Sequence, residues 1–227
     1  MKPATSWGRQ PQRPAACEIR LFDRHAPLPR IDQLPLLAHG LGRSYGDVAL
    51  NEGGVLFRTR GLDRFIRFDR STALLRAEAG VGLHEILALV VPQGCFLRVV
   101  PGTRFVTLGG AVANDVHGKN HHLAGSFGHH VTALELLRSD GTRLECRPAD
   151  LNADWFRATV GGLGLTGLIL WVEIQLMQIA QPFLWTVNRR FGHLDAYWDI
   201  DAELGQRHAY AVAWIDCLRG GRGIYSA

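Results

Sequence analysis

Short apolar runs, many of them alternating with polar residues, follow one another along the first 180 positions, and most of these runs predict strands. The strand-like runs lie at residues 34–38, 54–59, 64–69, 73–79, 95–100, 131–138, 143–147 and 165–179. Residues 82–91 (GLHEILALVV) instead place their apolar side chains on one helical face, and Pro92 and Gly94 end that helix. A second helix is predicted at residues 154–160, and Asp140-Gly141 predicts a hairpin between its flanking strands.

The pattern changes near Gln181-Pro182, where we expect a second domain to begin. Residues 183–191 and 210–215 are typical of strands and residues 194–204 of a helix, with a further strand due at 222–227. Only about forty residues lie beyond this point, too few to bury a core of their own. We therefore expect domains at residues 1–180 and 181–227, the second one incomplete and the chain part of a longer design. The Pro- and Arg-rich first 35 residues are expected to be mostly irregular.

Residues 101–130 (PGTRFVTLGGAVANDVHGKNHHLAGSFGHH) hold six glycines and five histidines, which is poor material for a packed core. Gly109-Gly110 lets the backbone approach a ligand closely, because no Cβ stands in the way. Short polar side chains supply donors and acceptors at close range. These side chains are Thr103, Thr107, Asn114 and Asn120. The segment therefore predicts a cofactor-lining stretch, and the cofactor we favour is a flavin.

The sequence at residues 40–47, GLGRSYGD, is called the glycine loop below. Its spacing, G-x-G-x-x-x-G, departs from the dinucleotide fingerprint, and the turn-like residues 47–54 supply no helix to face a pyrophosphate. A loop with several free backbone N–H groups can still wrap a diphosphate as an anion nest, and Ser44 can add a hydroxyl donor. A tight surface turn between two strands is an equally good interpretation of the spacing.

The histidines raise the question of a metal site. His117 and His121 stand four positions apart, as two ligands on one helical turn would. Gly118 and the pair Gly125 and Gly128 argue against a helix there, and no cysteine or glutamate lies nearby, so we expect no metal. Lys119, in the same stretch, could stabilise the negative charge that develops on an electron-rich ring during reduction. The alternative is a solvated surface lysine.

Composition narrows the class of protein further. The net charge of +4 is mild and the arginines are spread out, so charge alone does not indicate nucleic acid. The four cysteines stand far apart, which argues against a disulfide scaffold or a zinc ribbon and favours a reducing compartment. The first residues lack the apolar core of a signal peptide, and no uninterrupted apolar run reaches the roughly eighteen residues of a membrane span. We expect a cytoplasmic protein with at most peripheral membrane contact.

Three ordered segments carry a family likeness: residues 40–47, residues 101–128 and residues 158–169 (ATVGGLGLTGLI). Together they resemble the flavin oxidoreductases of the vanillyl-alcohol oxidase type. The nearest branch is that of the decaprenylphosphoryl-β-D-ribose 2-oxidases, which is also similar to the aldonolactone oxidases. The start Ser6-Trp7-Gly8-Arg9 and the strand-like Val212–Asp216 resemble that branch as well.

The resemblance implies an α+β fold, in which a PCMH-type FAD-binding domain of two subdomains precedes the start of an α+β substrate domain. The implied FAD-binding residues are Ala38, Gly40, Leu41, Gly42, Arg43, Ser44, Tyr45, Gly46, Asp47, Gly102, Thr103, Thr107, Leu108, Gly109, Gly110, Asn114, His117, Gly118, Lys119, Asn120 and Ile169. The glycine loop would wrap the pyrophosphate, the segment around Thr107 would hold the diphosphate and ribityl chain, and Ile169 would contact the adenine end. In relatives with covalent flavin a histidine precedes the serine of the first loop. Arg43 holds that place here, so the resemblance implies non-covalent FAD.

The implied reaction is oxidation of a secondary alcohol of a sugar by hydride transfer to the flavin, with His117 and Lys119 as catalytic residues. The implied partners are a small or lipid-linked sugar and a separate reductase that completes an epimerisation. Two departures from the family pattern stand out. Residues 13–33 are shorter than the usual first unit, and the remaining active-site lysine and tyrosine have no counterpart. The alternatives are an aldonolactone oxidase-like enzyme and a non-catalytic FAD-binding remnant.

Overall fold

The computed structural model describes residues 3–29, 31 and 34–227, and it confirms an α+β fold. The strands are β1 (Cys17–Arg20), β2 (Leu36–His39), β3 (Val55–Arg58), β4 (Phe65–Asp69), β5 (Leu74–Glu78), β6 (Cys95–Phe96), β7 (Val131–Leu137), β8 (Arg143–Cys146), β9 (Leu168–Gln175), β10 (Met177–Gln178), β11 (Asn188–Phe191), β12 (Val212–Asp216) and β13 (Arg222–Ser226). The α-helices are α1 (Leu83–Val90), α2 (Leu108–Ala113), α3 (His121–Ala124), α4 (Ala153–Thr159) and α5 (Leu194–Leu204). Short 3-10 helices lie at Thr59–Gly61, Val91–Gln93 and Phe127–His130.

A five-stranded antiparallel sheet in the order β4-β5-β9-β7-β8 forms the centre of the molecule. Strand β9 is central because nearly all of its residues are buried, with side chains in two different hydrophobic clusters. Helices α1 and α2 contribute Leu83, Ile86 and Leu108 to the larger cluster. This packing holds the start of α2 against the end of β5.

A smaller parallel sheet in the order β1-β3-β2 lies earlier in the chain. Strand β2 runs directly into the glycine loop, so the sheet sets where that loop begins. Strand β1 falls within the region expected to be mostly irregular, and it forms because residues 17–20 pair with β3. The part of that expectation that concerns residues 1, 2, 30, 32 and 33 lies outside the described residues.

The last strands form a three-stranded antiparallel sheet in the order β11-β13-β12, with α5 packed on one face. Its cluster of buried apolar residues consists of Phe191, Leu204, Tyr225 and Ala227. The N–H of Ala211 donates to the carbonyl of Lys119 at 2.8 Å, which ties this sheet to the histidine-rich segment. All members of this cluster lie beyond residue 190. The domain boundary expected at residue 180 stays a prediction.

Most predicted elements are confirmed with small shifts in their ends, including α1, α4, α5 and the hairpin of β7 and β8, whose turn closes from Arg138 N–H to Thr142 O at 2.9 Å. Three predicted strands are shorter than expected. The run at 95–100 is a strand only at Cys95–Phe96, the run at 165–179 divides into β9 and β10, and the run at 183–191 begins at residue 188. None of the helices formed by the described residues has both the length and the apolar character that a membrane crossing requires.

Candidate functional site

A cavity of about 600 Å³ opens between the glycine loop, the start of α2 and the turn that leads into β9. Its volume lies within the usual range for cofactor and ligand sites. Its walls come from parts of the chain that are far apart in sequence, which the parallel sheet and the central sheet bring together. The lining residues are Trp7, Ala38, Gly40, Leu41, Gly42, Arg43, Ser44, Tyr45, Val48, Ala49, Thr59, Ala79, Pro101, Gly102, Thr103, Val106, Thr107, Gly109, Gly110, Ala113, Asn114, Val116, His117, Leu163, Gly164, Gly167, Leu168 and Ile169.

Most of the residues predicted to bind the cofactor line this one cavity. They are Ala38, Gly40, Leu41, Gly42, Arg43, Ser44, Tyr45, Gly102, Thr103, Thr107, Gly109, Gly110, Asn114, His117 and Ile169. Six others, Gly46, Asp47, Leu108, Gly118, Lys119 and Asn120, do not line it. Leu108 is fully buried in the main hydrophobic cluster, so its side chain packs the core. Contact between any of these residues and a cofactor stays a prediction.

The glycine loop keeps its backbone donors free. Among the hydrogen bonds within the described part of the chain, none is donated by the N–H groups of residues 41–46. Gly42 and Gly46 have φ of +64° and +57°, which glycine adopts without strain. Successive unengaged N–H groups in such a turn form a concave donor surface for an anion. Of the two interpretations left open by the spacing, this geometry favours the anion site over a simple surface turn.

The start of α2 has the opposite property, because its first N–H groups are already engaged. Leu108 N–H donates to Val81 O at 2.7 Å and Gly109 N–H donates to Ala79 O at 2.8 Å. Thr107 is the N-cap, and its Oγ1 accepts from Gly110 N–H at 3.1 Å. This segment therefore offers a ligand the bare backbone surface of its glycines, with the anion donors left to the glycine loop.

Side chains join these two walls. Ser44 Oγ donates to Asn114 Oδ1 at 3.3 Å, and Asn114 Nδ2 donates to Gly110 O at 2.9 Å. A Cβ on Gly40 would lie 2.4 Å from Thr107 Oγ1, so the loop approaches α2 as closely as glycine allows. The predicted residues Ser44 and Asn114, 70 positions apart, thus meet in space.

The histidine-rich segment lies at one side of the cavity. His117 is exposed and lines the cavity, and its ring centroid lies 5.4 Å from that of His121. The expectation that the glycines prevent a helix here is wrong for one turn, since α3 begins at His121, but His117 lies outside it. No group of three or more His, Cys, Asp or Glu side chains within the described residues is arranged to hold a metal ion.

Lys119 and Asn120 follow His117 and Gly118 in the chain, but they do not line the cavity. Lys119 is exposed, whereas Asn120 is 5% exposed and donates from Nδ2 to Arg98 O at 2.7 Å. Asn120 Oδ1 is buried without a hydrogen-bond partner among the described residues. Asn120 therefore anchors this turn to the backbone at Arg98.

Burial changes the titration of two histidines near the site. Burial lowers the pKa of His39, and the nearby Arg58 guanidinium lowers it further. His39 is 3% exposed, and its two ring nitrogens face the carbonyl oxygens of Gly40 at 3.1 Å and Thr5 at 3.3 Å. Burial also lowers the pKa of His130, whose Nε2 lies 2.9 Å from Ala124 O.

The structure adds lining residues that the sequence motifs did not indicate. Among them are Trp7, whose segment was matched by resemblance but not assigned to the site, and Thr59 and Ala79 at strand ends. Leu163, Gly164, Gly167 and Leu168, before Ile169, also line the cavity. The segment at 158–169 was identified by resemblance, but only Ile169 was assigned to the site. The glycines at 164 and 167 were the signal in the sequence that this turn could approach the cavity closely. In the structure they have φ of +81° and +149°.

The residues present fit FAD. Unengaged N–H groups suit a diphosphate, bare glycine backbone suits a closely packed chain, and apolar walls suit two ring systems. Gly102 supports the fit, because a Cβ added there would meet no protein atom within 4 Å although the residue lines the cavity.

Comparison with known proteins gives a family match over residues 28–147, to a family described as FAD binding domain. Decaprenylphosphoryl-beta-D-ribose oxidase of Mycolicibacterium smegmatis is 41% identical over 184 residues, which cover 81% of this chain and 40% of that protein. Mouse L-gulonolactone oxidase is 32% identical over 138 residues, covering 60% of this chain and 30% of that protein. Human Delta(24)-sterol reductase is 30% identical over 112 residues, which cover 49% of this chain and 22% of that protein. The chain thus spans less than half the length of each of these relatives. The family match and the similarity to the ribose oxidase confirm the family resemblance predicted from the motifs.

Proposed function

The chain belongs to the family of FAD binding domains and has FAD as its cofactor, and from this premise we propose that it forms the cofactor-binding part of an oxidoreductase acting on a secondary alcohol of a sugar. The proposed substrate class is a polyprenyl-phosphoryl ribose, oxidised at its 2-hydroxyl. The similarity to decaprenylphosphoryl-beta-D-ribose oxidase supports this choice.

The observation that carries the proposal is the shared cavity. It joins the unengaged N–H groups of residues 41–45, which suit the diphosphate, to the exposed imidazole of His117. FAD bound in this cavity would share one space with an acid-base group, as transfer of a hydride and a proton requires.

Each residue in the proposal has a defined task. When bound, FAD supplies the acceptor for a hydride from the carbinol carbon. His117 accepts the hydroxyl proton at a ring nitrogen, and the exposed ammonium of Lys119 stabilises the negative charge that develops nearby. Ser44 and Asn114 hold the glycine loop against α2 so that its N–H groups stay in register with the diphosphate.

The test uses this chain loaded with FAD under anaerobic conditions. Addition of a polyprenyl-phosphoryl ribose is expected to bleach the visible flavin band, and His117→Ala and Lys119→Ala are expected to slow bleaching while FAD stays bound. Trp185→Ala, whose side chain is 93% exposed and lies outside the cavity, is the matched control. Retained flavin with no bleaching by any sugar would support the second candidate, a non-catalytic FAD-binding domain.

An aldonolactone oxidase-like activity is the alternative within enzymes, supported by the similarity to mouse L-gulonolactone oxidase. The same assay separates the two activities, since an aldonolactone would then bleach the flavin and the phosphoryl ribose would not.

Location and partners complete the proposal. We place the protein in the cytoplasm, and the four cysteines, all free, suit a reducing compartment. A lipid-linked substrate would be reached by peripheral contact with a membrane surface. A separate reductase would return the 2-keto product as the epimeric alcohol. Nucleic acid is not among the proposed partners.

A further inference from the structure

The first residues of the chain form an additional wall of the cavity, although the family match begins only at residue 28. Residues 5–9, which we call the strap, cross the glycine loop, and Trp7 lines the cavity. Trp7 N–H donates to Ser44 O at 3.0 Å, and Ser6 is 3% exposed. The strap is therefore fixed to the loop by its own backbone.

The buried ring of His39 contacts the strap at Thr5. Its Nε2 lies 3.3 Å from Thr5 O and its Nδ1 lies 3.1 Å from Gly40 O, so the buried ring lies between strap and loop, and the N–H of the neutral ring donates to one carbonyl or the other according to its tautomer. A Cβ on Gly42 would lie 2.1 Å from Thr5 O, which means that the loop can run under the strap only with glycine there. Strap and loop thus determine each other's position.

The indole of Trp7 is left with a free surface. It is 53% exposed although it lies on a cavity wall, and the guanidinium carbon of Arg43 lies 5.7 Å from its ring centroid. A large aromatic surface beside unengaged N–H groups suits a ligand that combines a flat ring or sugar with phosphate. Because the side chain keeps this exposure, the other described residues leave much of the indole surface uncovered.

We propose that the strap is part of the FAD site, with Trp7 packing directly on the bound cofactor and His39 acting as the positioning residue that holds the strap in place. This inference rests on the proposed function, since it takes the cavity to be where FAD binds. It assigns to this chain a cofactor contact that lies outside the family-matched region.

The test measures FAD affinity of the purified chain by flavin fluorescence, together with tryptic cleavage after Arg9. We expect Trp7→Ala to weaken FAD binding roughly tenfold, which corresponds to about 1.4 kcal/mol, because both the aromatic contact and the apolar area it buries are lost. Trp7→Phe should recover most of that affinity. Bound FAD should protect Arg9 from trypsin in the unchanged chain and in Trp7→Phe, and much less in Trp7→Ala.

His39→Gln tests the anchor, and Trp185→Ala tests whether loss of any exposed tryptophan matters. His39→Gln should increase cleavage after Arg9 and weaken FAD binding, whereas Trp185→Ala should change neither. Equal FAD affinity of Trp7→Ala and the unchanged chain would refute the strap while leaving the proposed function intact. Failure of the unchanged chain to bind FAD at all would overturn both.

Discussion

Gly109 offers the sharpest test of how the cavity wall is built. Its N–H donates across the gap between α2 and β5, and a Cβ there would lie 2.8 Å from Ala79 Cβ and 3.2 Å from Ala79 O. Carbon atoms in favourable contact lie about 3.5–4.0 Å apart. Gly109→Ala must therefore push α2 away by on the order of 1 Å, which also stretches the bond from Leu108 N–H to Val81 O.

Two opposing terms set the size of the effect. Overpacking a buried contact costs about 1–3 kcal/mol. Alanine in a helix gains about 0.5–1 kcal/mol over glycine, which offsets part of that cost. The expected net loss is about 0.5–2 kcal/mol, which in a domain of this size corresponds to a fall in Tm of roughly 1–8 °C. FAD affinity should fall as well, because α2 forms a wall of the cavity.

The assay is thermal unfolding of the FAD-free protein, followed by circular dichroism, with an FAD titration of the same samples. Gly192→Ala is the matched control, since a Cβ there meets nothing within 4 Å. The reasoning is refuted if Gly109→Ala unfolds at or above the Tm of the unchanged protein while Gly192→Ala leaves Tm unaltered.

Three further outcomes follow from other parts of the structure. Arg43 occupies the position of the covalent histidine, so acid precipitation should release the flavin into the supernatant, and flavin kept in the pellet would contradict this. Burial and Arg58 lower the pKa of His39 from 6.5, so the native state disfavours the proton. The stability present above pH 6.5 should therefore decline as the pH falls below it, and urea unfolding of His39→Gln should show a smaller decline. Tyr225 donates from its hydroxyl to Asp201 Oδ1 at 2.8 Å, so Tyr225→Phe should lower the free energy of unfolding by about 1–2 kcal/mol, and an unchanged urea midpoint would oppose this.

Elements whose pattern is local were predictable from the sequence. Helix α1 has an apolar face and a clear end signal, and the Asp140-Gly141 turn requires nothing beyond its own residues and flanking strands. Strand β1 depends on pairing with β3, some 38 positions later by its register of Cys17 with Val55, which no local pattern reveals. Helix α2 contains Gly-Gly and has poor intrinsic propensity, yet the Thr107 cap and the contact with Ala79 hold it in place.

The site was predictable to the extent that its residues stand in continuous motifs. The glycine loop and the segment around Thr107 are each continuous in sequence, and most of their residues line the cavity, so the resemblance of these motifs could indicate them. Motif reasoning includes every residue of a run, which is why Leu108 was assigned to the cofactor although helical geometry turns its side chain into the core. Thr59 and Ala79 were missed, and Trp7 was matched by resemblance without being assigned to the site, because only the folded chain brings these residues to the cavity.

The two glycine-rich walls of the cavity differ in the backbone N–H groups that they leave unengaged. The N–H groups of residues 108–110 donate to Val81 O, Ala79 O and Thr107 Oγ1, in that order. The start of α2 is therefore a fixed surface without free donors. Residues 41–46 keep their N–H groups unengaged, so we expect the negative charge of a diphosphate to be stabilised at the loop and the uncharged parts of the cofactor to lie along α2. The contacts between Ser44 and Asn114 and between Gly40 and Thr107 then fix the distance between the walls, and this distance determines whether one cofactor can reach both.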